Sequence, residues 1–390
     1  MTFKASRRAQ IAPFIVMDFV RAAVERDARA KTADERAIHL EVGQPGTPAP
    51  KAVREAAAAA LASERIGYTE SLGIARLRQR IATHYHARYG AEVDPARIVV
   101  TTGSSAAFLL AFLAAFDAGD RVAFAEPGYP AYRNILQALD VTTVPIAATP
   151  ATRFQPTPAL LDGAPGPLAG LIVASPANPT GSMLAPGDLA ALCAWSETRG
   201  VRLISDEIYH GITYGMKETT ALAHSAHAIV INSFSKYYSM TGWRLGWMVV
   251  PEDLLRAVEV LAQNFYISPP GLSQLAALAA FDAADELDAN VARYRANRDL
   301  LLAELPKAGF DRFAPADGAF YLYADVAHMT NDSEELCRRM LDEAGVAATP
   351  GTDFDQGRGR AFVRFSFAGT TEEMAEAVRR LAKWRGARGT

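Results

Sequence analysis

The sequence predicts an α/β fold, in which a large domain on a mostly parallel sheet joins a smaller α+β domain. Three observations carry this expectation. Short apolar runs are nearly continuous rather than alternating, as in strands buried on both faces. They alternate with longer stretches of helical periodicity. Past about residue 285 that rhythm gives way to a long charged helix followed by a few strands and helices.

In chain order, VMDFVRAAVERDARA, beginning at Val16, reads as an amphipathic helix. KAVREAAAAALAS (51–63) and GIARLRQRIATHYHARYG (73–90) are helical patterns, and the alanine run 56–60 has the highest helix propensity available. The strand RIVVTT (97–102) precedes the helix AAFLLAFLAAFDAG (106–119). Strands follow at RVAFAEP (121–127) and GLIVASP (170–176), separated by a Gly/Pro-rich loop, then the helix PGDLAALCAWSETRG (186–200). VRLISDE (201–207), AIVINSFS (228–235) and RLGWMVV (244–250) complete the first set of strands, and PEDLLRAVEVLAQNF (251–265) is the next helix. The smaller domain then comprises the helix DELDANVARYRANRDLLLAEL, the strand GAFYLYADV, the helix SEELCRRMLDEAG, the strand AFVRFSF and the helix TEEMAEAVRRLAKWRG.

The chain has 390 residues, of which 50% are hydrophobic and 21% charged, with a formal net charge of −3. That length buries a large core without disulfides or structural metal. A charge so near zero argues against a nucleic-acid or polyanion partner. Cys193 and Cys337 show neither CxxC nor Cys/His spacing. No disulfide framework or metal site is expected, and a reducing cytoplasm is the expected location. Lys4, Arg7 and Arg8 ahead of IAPFIVM mimic the start of a signal peptide, but Asp18 interrupts the run and no small-residue cleavage site follows. The run AAFLLAFLAAF (106–116) is too short to span a bilayer, so no membrane role is expected.

The densest chemical signal is SFSKYYSMTGWRLG (233–246), which begins where a strand ends. Taken alone, Lys236 reads as a solvated surface lysine. Its context differs: Ser233 and Ser235 offer hydroxyls and Arg244 a fork of donors, a set suited to a phosphate. Beside a phosphate-bearing aldehyde, such a lysine can form an imine. Every position of 233–246 fits the pyridoxal-phosphate attachment motif of the class I/II aminotransferases of fold type I, and the chain resembles that family over roughly residues 35–370.

The resemblance implies roles residue by residue. Lys236 would hold pyridoxal 5'-phosphate as a Schiff base and shuttle protons. Asp206, in LISDEIYH, would pair with the ring nitrogen, and Tyr209 would hydrogen-bond the phenolic oxygen together with Asn178. Asn178 lies in ASPANPTG, which resembles the family's SNPxNPTG segment, with Ser175 replacing its first asparagine. Gly103, Ser104 and Ser105 resemble the second half of the phosphate cup, a place where free N–H groups at a helix start attract anions. Tyr129 would stack on the ring. Tyr68 would reach the phosphate of a neighbouring subunit, which implies a homodimer with shared active sites. Arg364 would clamp the substrate's α-carboxylate. Gly43 would bring its backbone close to the substrate, although Gln44, Gly46 and Thr47 depart from the family's GxPxFxxP loop.

The fold so implied has a seven-stranded, mostly parallel sheet in a large cofactor-binding domain (46–284). A small C-terminal domain (285–390) is completed by an N-terminal arm (1–45). The activity implied is ping-pong transfer of an amino group from an L-amino acid to a 2-oxo acid. Carbon–sulfur β-lyases share the same cofactor residues, and aminotransferase-like ligand sensors share the fold. Neither the amino donor nor the acceptor is legible: Phe14, Ile15, Tyr321 and Tyr266 are candidates for the side-chain pocket, and no arginine can be assigned to a distal carboxylate.

Overall fold

The structure, a computed structural model, describes residues 3–386. Among them are twelve strands in three sheets. The first pairs β1 (Ile38–His39) in parallel with β10 (Val346–Ala347). The large sheet contains β2 (Ile98–Thr101), β3 (Arg121–Glu126), β4 (Thr142–Ala147), β5 (Gly170–Ala174), β6 (Arg202–Asp206), β7 (Ile229–Ser233) and β8 (Gly246–Val249). Its order is β2-β8-β7-β6-β5-β3-β4, and β8 runs antiparallel to both of its neighbours. The third sheet is antiparallel, with β12 (Phe362–Ser366) between β11 (Thr349–Pro350) and β9 (Tyr321–Asp325).

Burial explains which strands the apolar pattern revealed. All five residues of β7 and all four of β2 and β8 are buried, so their near-continuous apolar runs face helices on both sides of the sheet. β4 carried no such signal. It is an edge strand whose exposed and buried residues alternate, and it contains Pro145, which an edge tolerates. The helix Pro130–Ala138, also unpredicted, directly follows the loop at the end of β3.

Helix boundaries follow local chemistry. Ala75–Tyr89 and Pro186–Arg199 both stop at a left-handed glycine, Gly90 or Gly200, as helices often do. The helix expected from residue 106 begins instead at Gly103, which places Ser104 and Ser105 in its first turn.

The cores divide along the same lines. One apolar cluster lies on each face of the large sheet, with Leu171, Val230 and Trp247 on one side and Phe108, Ile204 and Ile231 on the other. A third cluster joins Phe19 and Leu40 from the N-terminal region to Phe310, Phe365 and Leu381 near the C-terminus, and takes in Tyr209 and Ile212 from the loop after β6. Among the described residues, no helix is long and apolar enough to cross a membrane.

The helix α1 (Val16–Arg29) is fastened to β1 through a histidine. His39 bonds Glu41 Oε1 through Nδ1 at 2.7 Å and Asp27 Oδ2 through Nε2 at 3.1 Å. The Glu41 bond, opposed by burial and aided by Asp27, raises the His39 pKa to about 9 from an ordinary 6.5. The folded chain therefore holds a proton that the unfolded chain releases between those values. This stabilisation is complete below pH 6.5 and is lost as pH rises through about 9. His39→Gln should lower the urea midpoint at pH 6 to 7, with the gap to wild type closing by pH 10. A gap constant across that range would refute the linkage.

Candidate active site

A cavity of about 250 Å³ opens where β5, β6 and β7 end at their carboxyl edges, the usual ligand position in an open α/β sheet. β5 leads through Ala174 to Asn178, β6 ends on Asp206, and the turn after β7 carries Ser235 and Lys236; all line the cavity. Ser104, Ser105, Tyr129, Tyr209 and Arg244 enter from neighbouring loops. The far wall brings Gly43 from the N-terminal region and Arg364 from β12.

Asp206 is almost wholly buried, and burial raises its pKa to about 6. Three contacts counter that cost. The Tyr132 hydroxyl donates to Oδ2, the Ile208 N–H donates to Oδ1 at 3.1 Å, and the Lys236 charge acts across the cavity. A carboxylate held in this way can keep a cationic partner protonated.

Lys236 sits in a tight turn closed by the Ser239 N–H on its own carbonyl at 3.1 Å and by the Thr241 hydroxyl on the Ser235 carbonyl at 2.9 Å. Its Nζ donates to the Gly43 carbonyl at 2.6 Å and lies 5.6 and 5.9 Å from the ring centres of Tyr209 and Phe320. Burial lowers its pKa to about 8, and the Arg364 and Arg244 charges push the same way against Asp206. Gly43 must be glycine for this approach, because a Cβ there would collide with the Tyr321 hydroxyl.

Arg364 is 4% exposed. It lies between the rings of Tyr321 and Phe354, at 4.4 and 4.8 Å from their centres. Nη1 donates to Asn178 Oδ1 at 2.9 Å, while Nη2 donates to the Glu41 carbonyl at 2.5 Å and to the Thr349 hydroxyl at 3.2 Å. Its buried Nε has no hydrogen-bond partner, a donor left for a ligand. The Tyr209 hydroxyl meets that of Tyr321 at 2.6 Å, and Asn178 is presented by a turn in which the Gly181 N–H bonds the Ala177 carbonyl at 2.8 Å.

At the opposite end, hydroxyls of Ser104, Ser105, Ser235 and Thr241 border the cavity with Arg244. Arg244 has a left-handed backbone at φ 51° and donates to the Thr241 carbonyl at 2.9 Å. Its guanidinium lies over Gly103, where a Cβ would come within 2.5 Å of Nη2; glycine at φ 74° leaves that space open. Three hydroxyls, those of Ser104, Ser105 and Ser235, with a helix start and a guanidinium fit a phosphate, while Thr241 gives its hydroxyl to the turn. With the buried Asp206 and the open Arg364 Nε, the donor set fits pyridoxal 5'-phosphate carrying an amino acid.

Three expected residues stand apart from the cavity lining. Gly103 lies behind Arg244, and Ser233 spends its hydroxyl on the Ser235 hydroxyl at 3.0 Å and the Leu245 carbonyl at 3.2 Å, so it shapes the turn. Tyr68 is 83% exposed on the outer surface. Of the residues considered for the side-chain pocket, Phe14 and Tyr321 line the cavity, whereas Ile15 and Tyr266 do not. Motif reading did not single out Thr241, Glu41, Asp353 or Phe354, and it took Tyr132 only as a weaker alternative to Tyr129 for stacking on the ring, not as the partner of Asp206. Tyr132 lies one helical turn after Tyr129, a spacing that could have revealed it.

The model of the family "Aminotransferase class I and II" matches residues 35–381. A valine–pyruvate aminotransferase of Mycobacterium tuberculosis is 53% identical over 388 residues, covering 98% of this chain and 99% of its own. A crystal structure of an aminotransferase from Mycobacterium tuberculosis superposes with a TM-score of 0.96 at 52% identity, covering 99% of this chain and 100% of that one. Thermus thermophilus aspartate aminotransferase with maleate superposes at 0.90 with 31% identity, covering 98% and 100%. A β-lyase activity is not favoured, since these relatives are aminotransferases. The chain belongs to the class I and II aminotransferases and is a pyridoxal-phosphate-dependent enzyme of fold type I.

Proposed function

We propose that this aminotransferase takes its amino group from neutral L-amino acids with branched or otherwise apolar side chains, and that it works as a homodimer in a reducing cytoplasm. The observation that carries the donor class is the cavity wall. Phe14, Val16, Met17 and Val20 of the N-terminal region, with Ile208 and Phe354, supply apolar surface. The cations among the lining residues are Lys236, Arg244 and Arg364, each with a task in the chemistry below. None is left for a distal carboxylate. The name of the 53% identical relative, a valine–pyruvate aminotransferase, supports the same class.

In this mechanism Ser104, Ser105, Ser235 and Arg244 would hold the phosphate, and Asp206 would hold the ring nitrogen, itself steadied by the Tyr132 hydroxyl. Tyr129 would cover the ring, while Asn178 and Tyr209 would bond its phenolic oxygen. When bound, pyridoxal phosphate supplies an aldehyde carbon for amines and a ring that accepts the electrons freed at the substrate's α-carbon. Arg364 orients the substrate by its α-carboxylate, using the Nε that has no other partner. Lys236, whose pKa of about 8 lies well below that of a free lysine, would be close enough to neutral for its Nζ to take the substrate's α-proton and hold it for transfer. Amino acid and 2-oxo acid occupy the Arg364 site in turn, which gives ping-pong kinetics.

The dimer reading rests on an exposed apolar patch. Leu61, Ile66 and Tyr68 stand near Phe265 and Ile267, and the two segments are joined by the Thr69 N–H on the Ser268 hydroxyl at 3.3 Å. A second copy would cover this patch and receive Tyr68 at its phosphate. Two buried free cysteines suit a reducing compartment.

Three measurements test these assignments. Borohydride reduction should fix the cofactor to Lys236 in wild type but not in Lys236→Ala, and that variant should lose turnover by about 10²–10⁴-fold; undiminished activity would overturn the assignment. With pyruvate as acceptor, valine should exceed aspartate in kcat/KM by about tenfold or more, the scale set by burying a branched side chain; a preference for aspartate would reverse the donor class. Sedimentation at micromolar concentration should give twice the 41.9 kDa chain mass, and a fully active monomer would remove the shared site.

A further inference from the structure

The cavity wall carries one charge that transamination does not require. Asp353 lies between β11 and β12, lines the same cavity as Lys236 and Arg364, and is 2% exposed. Its Oδ1 accepts the Ile15 N–H at 3.0 Å and its Oδ2 the Val16 N–H at 3.3 Å, where α1 begins. The carboxylate takes one amide on each oxygen, a pair of acceptors that asparagine, with a single acceptor oxygen, does not supply. Its partners are backbone amides rather than an ammonium or guanidinium. Of the nearby cations, Arg133 gives Nη1 to Glu126 at 3.3 Å and Nη2 to the Asp353 main-chain carbonyl at 3.5 Å, and both Nη atoms of Arg364 go to Asn178, Glu41 and Thr349. Glu41, a second carboxylate of the wall, is matched by His39 at 2.7 Å. Among the described residues, Asp353 has no cation in ion-pair contact; burial raises its pKa, while the nearby Arg364 and Arg133 charges favour its ionised form.

We propose that Asp353 is a specificity-determining residue that repels a second carboxylate on either substrate, so that the cavity admits monocarboxylate amino acids and 2-oxo acids and rejects dicarboxylate ones. The inference rests on the donor class above and extends it to the acceptor. Like charges repel strongly in a cavity of low dielectric, and discrimination commonly depends on such a repulsive element. Because a ping-pong enzyme receives both substrates at one site, a single fixed charge screens both. The reaction that feeds amino groups into this enzyme would then be one that produces a neutral amino acid, not one that ends in glutamate or aspartate.

The test uses the holoenzyme, wild type and with Asp353→Asn or Asp353→Ser, two neutral residues that each keep one acceptor oxygen for the start of α1. Half-reactions of the pyridoxamine form with pyruvate and with 2-oxoglutarate are followed by cofactor absorbance. Binding of the unreactive acids 3-methylbutanoate and glutarate is measured in parallel. Wild type should favour pyruvate and 3-methylbutanoate, and in both variants each preference ratio should fall by about tenfold or more. A capping role alone would depress both members of each pair equally and leave the ratios unmoved, which overturns this proposal but not the donor class. A wild type that reacts faster with 2-oxoglutarate than with pyruvate also overturns it. One that prefers aspartate to valine removes the reading on which it rests.

Discussion

The placement of ionisable groups out of water is the constraint around which this site is organised. Asp206 and Lys236 each pay a desolvation cost that moves their pKa values towards one another, to about 6 and about 8. A buried carboxylate stays charged only if donors surround it, and Tyr132, the Ile208 N–H and Lys236 supply them. The strands beneath serve this arrangement: β6 and β7 are adjacent and parallel, so their carboxyl ends deliver the acid and the lysine to one side of the sheet. The same low-dielectric setting gives fixed charges such as Arg364 and Asp353 their reach.

Much of this was legible in the sequence, because the chemistry is concentrated in short contiguous segments. SFSKYYSMTGWRLG carries Ser235, Lys236, Thr241 and Arg244 together, and LISDEIYH carries Asp206 and Tyr209. Strands such as β7, covered on both faces, leave an unmistakable apolar run. What escaped was set by partners distant in the chain. β4 is half exposed at a sheet edge, so its pattern is diluted. Tyr132 acquires a task only once the helix Pro130–Ala138 is turned toward β6. Ser233 reads as a phosphate ligand by its place in the motif, yet its hydroxyl is used up inside the turn. Asp353 offers no local signal, since it is the fold that brings the loop after β11 against the start of α1.

On the proposed donor class, the N-terminal region would set the site's selectivity and the large sheet its chemistry. α1 contributes Val16, Met17 and Val20 to the wall and is held at its first turn by Asp353 and nearer its end, through Asp27, by His39. The residues that would bind the cofactor lie at strand ends, in turns and at a helix start supported by largely buried strands. Change in substrate preference can therefore proceed in α1 and its latch without disturbing the groups beneath the cofactor.

The hydrogen bond from Arg364 to the Glu41 carbonyl spans 323 residues. It joins the beginning of the chain to β12, the last of the described strands. During synthesis the large sheet can emerge and close well before β12 exists, so a nascent chain carries the lysine and its acid long before it owns a carboxylate clamp. On this order of synthesis, the residues proposed to hold the cofactor are made before the one proposed to hold the substrate's carboxylate.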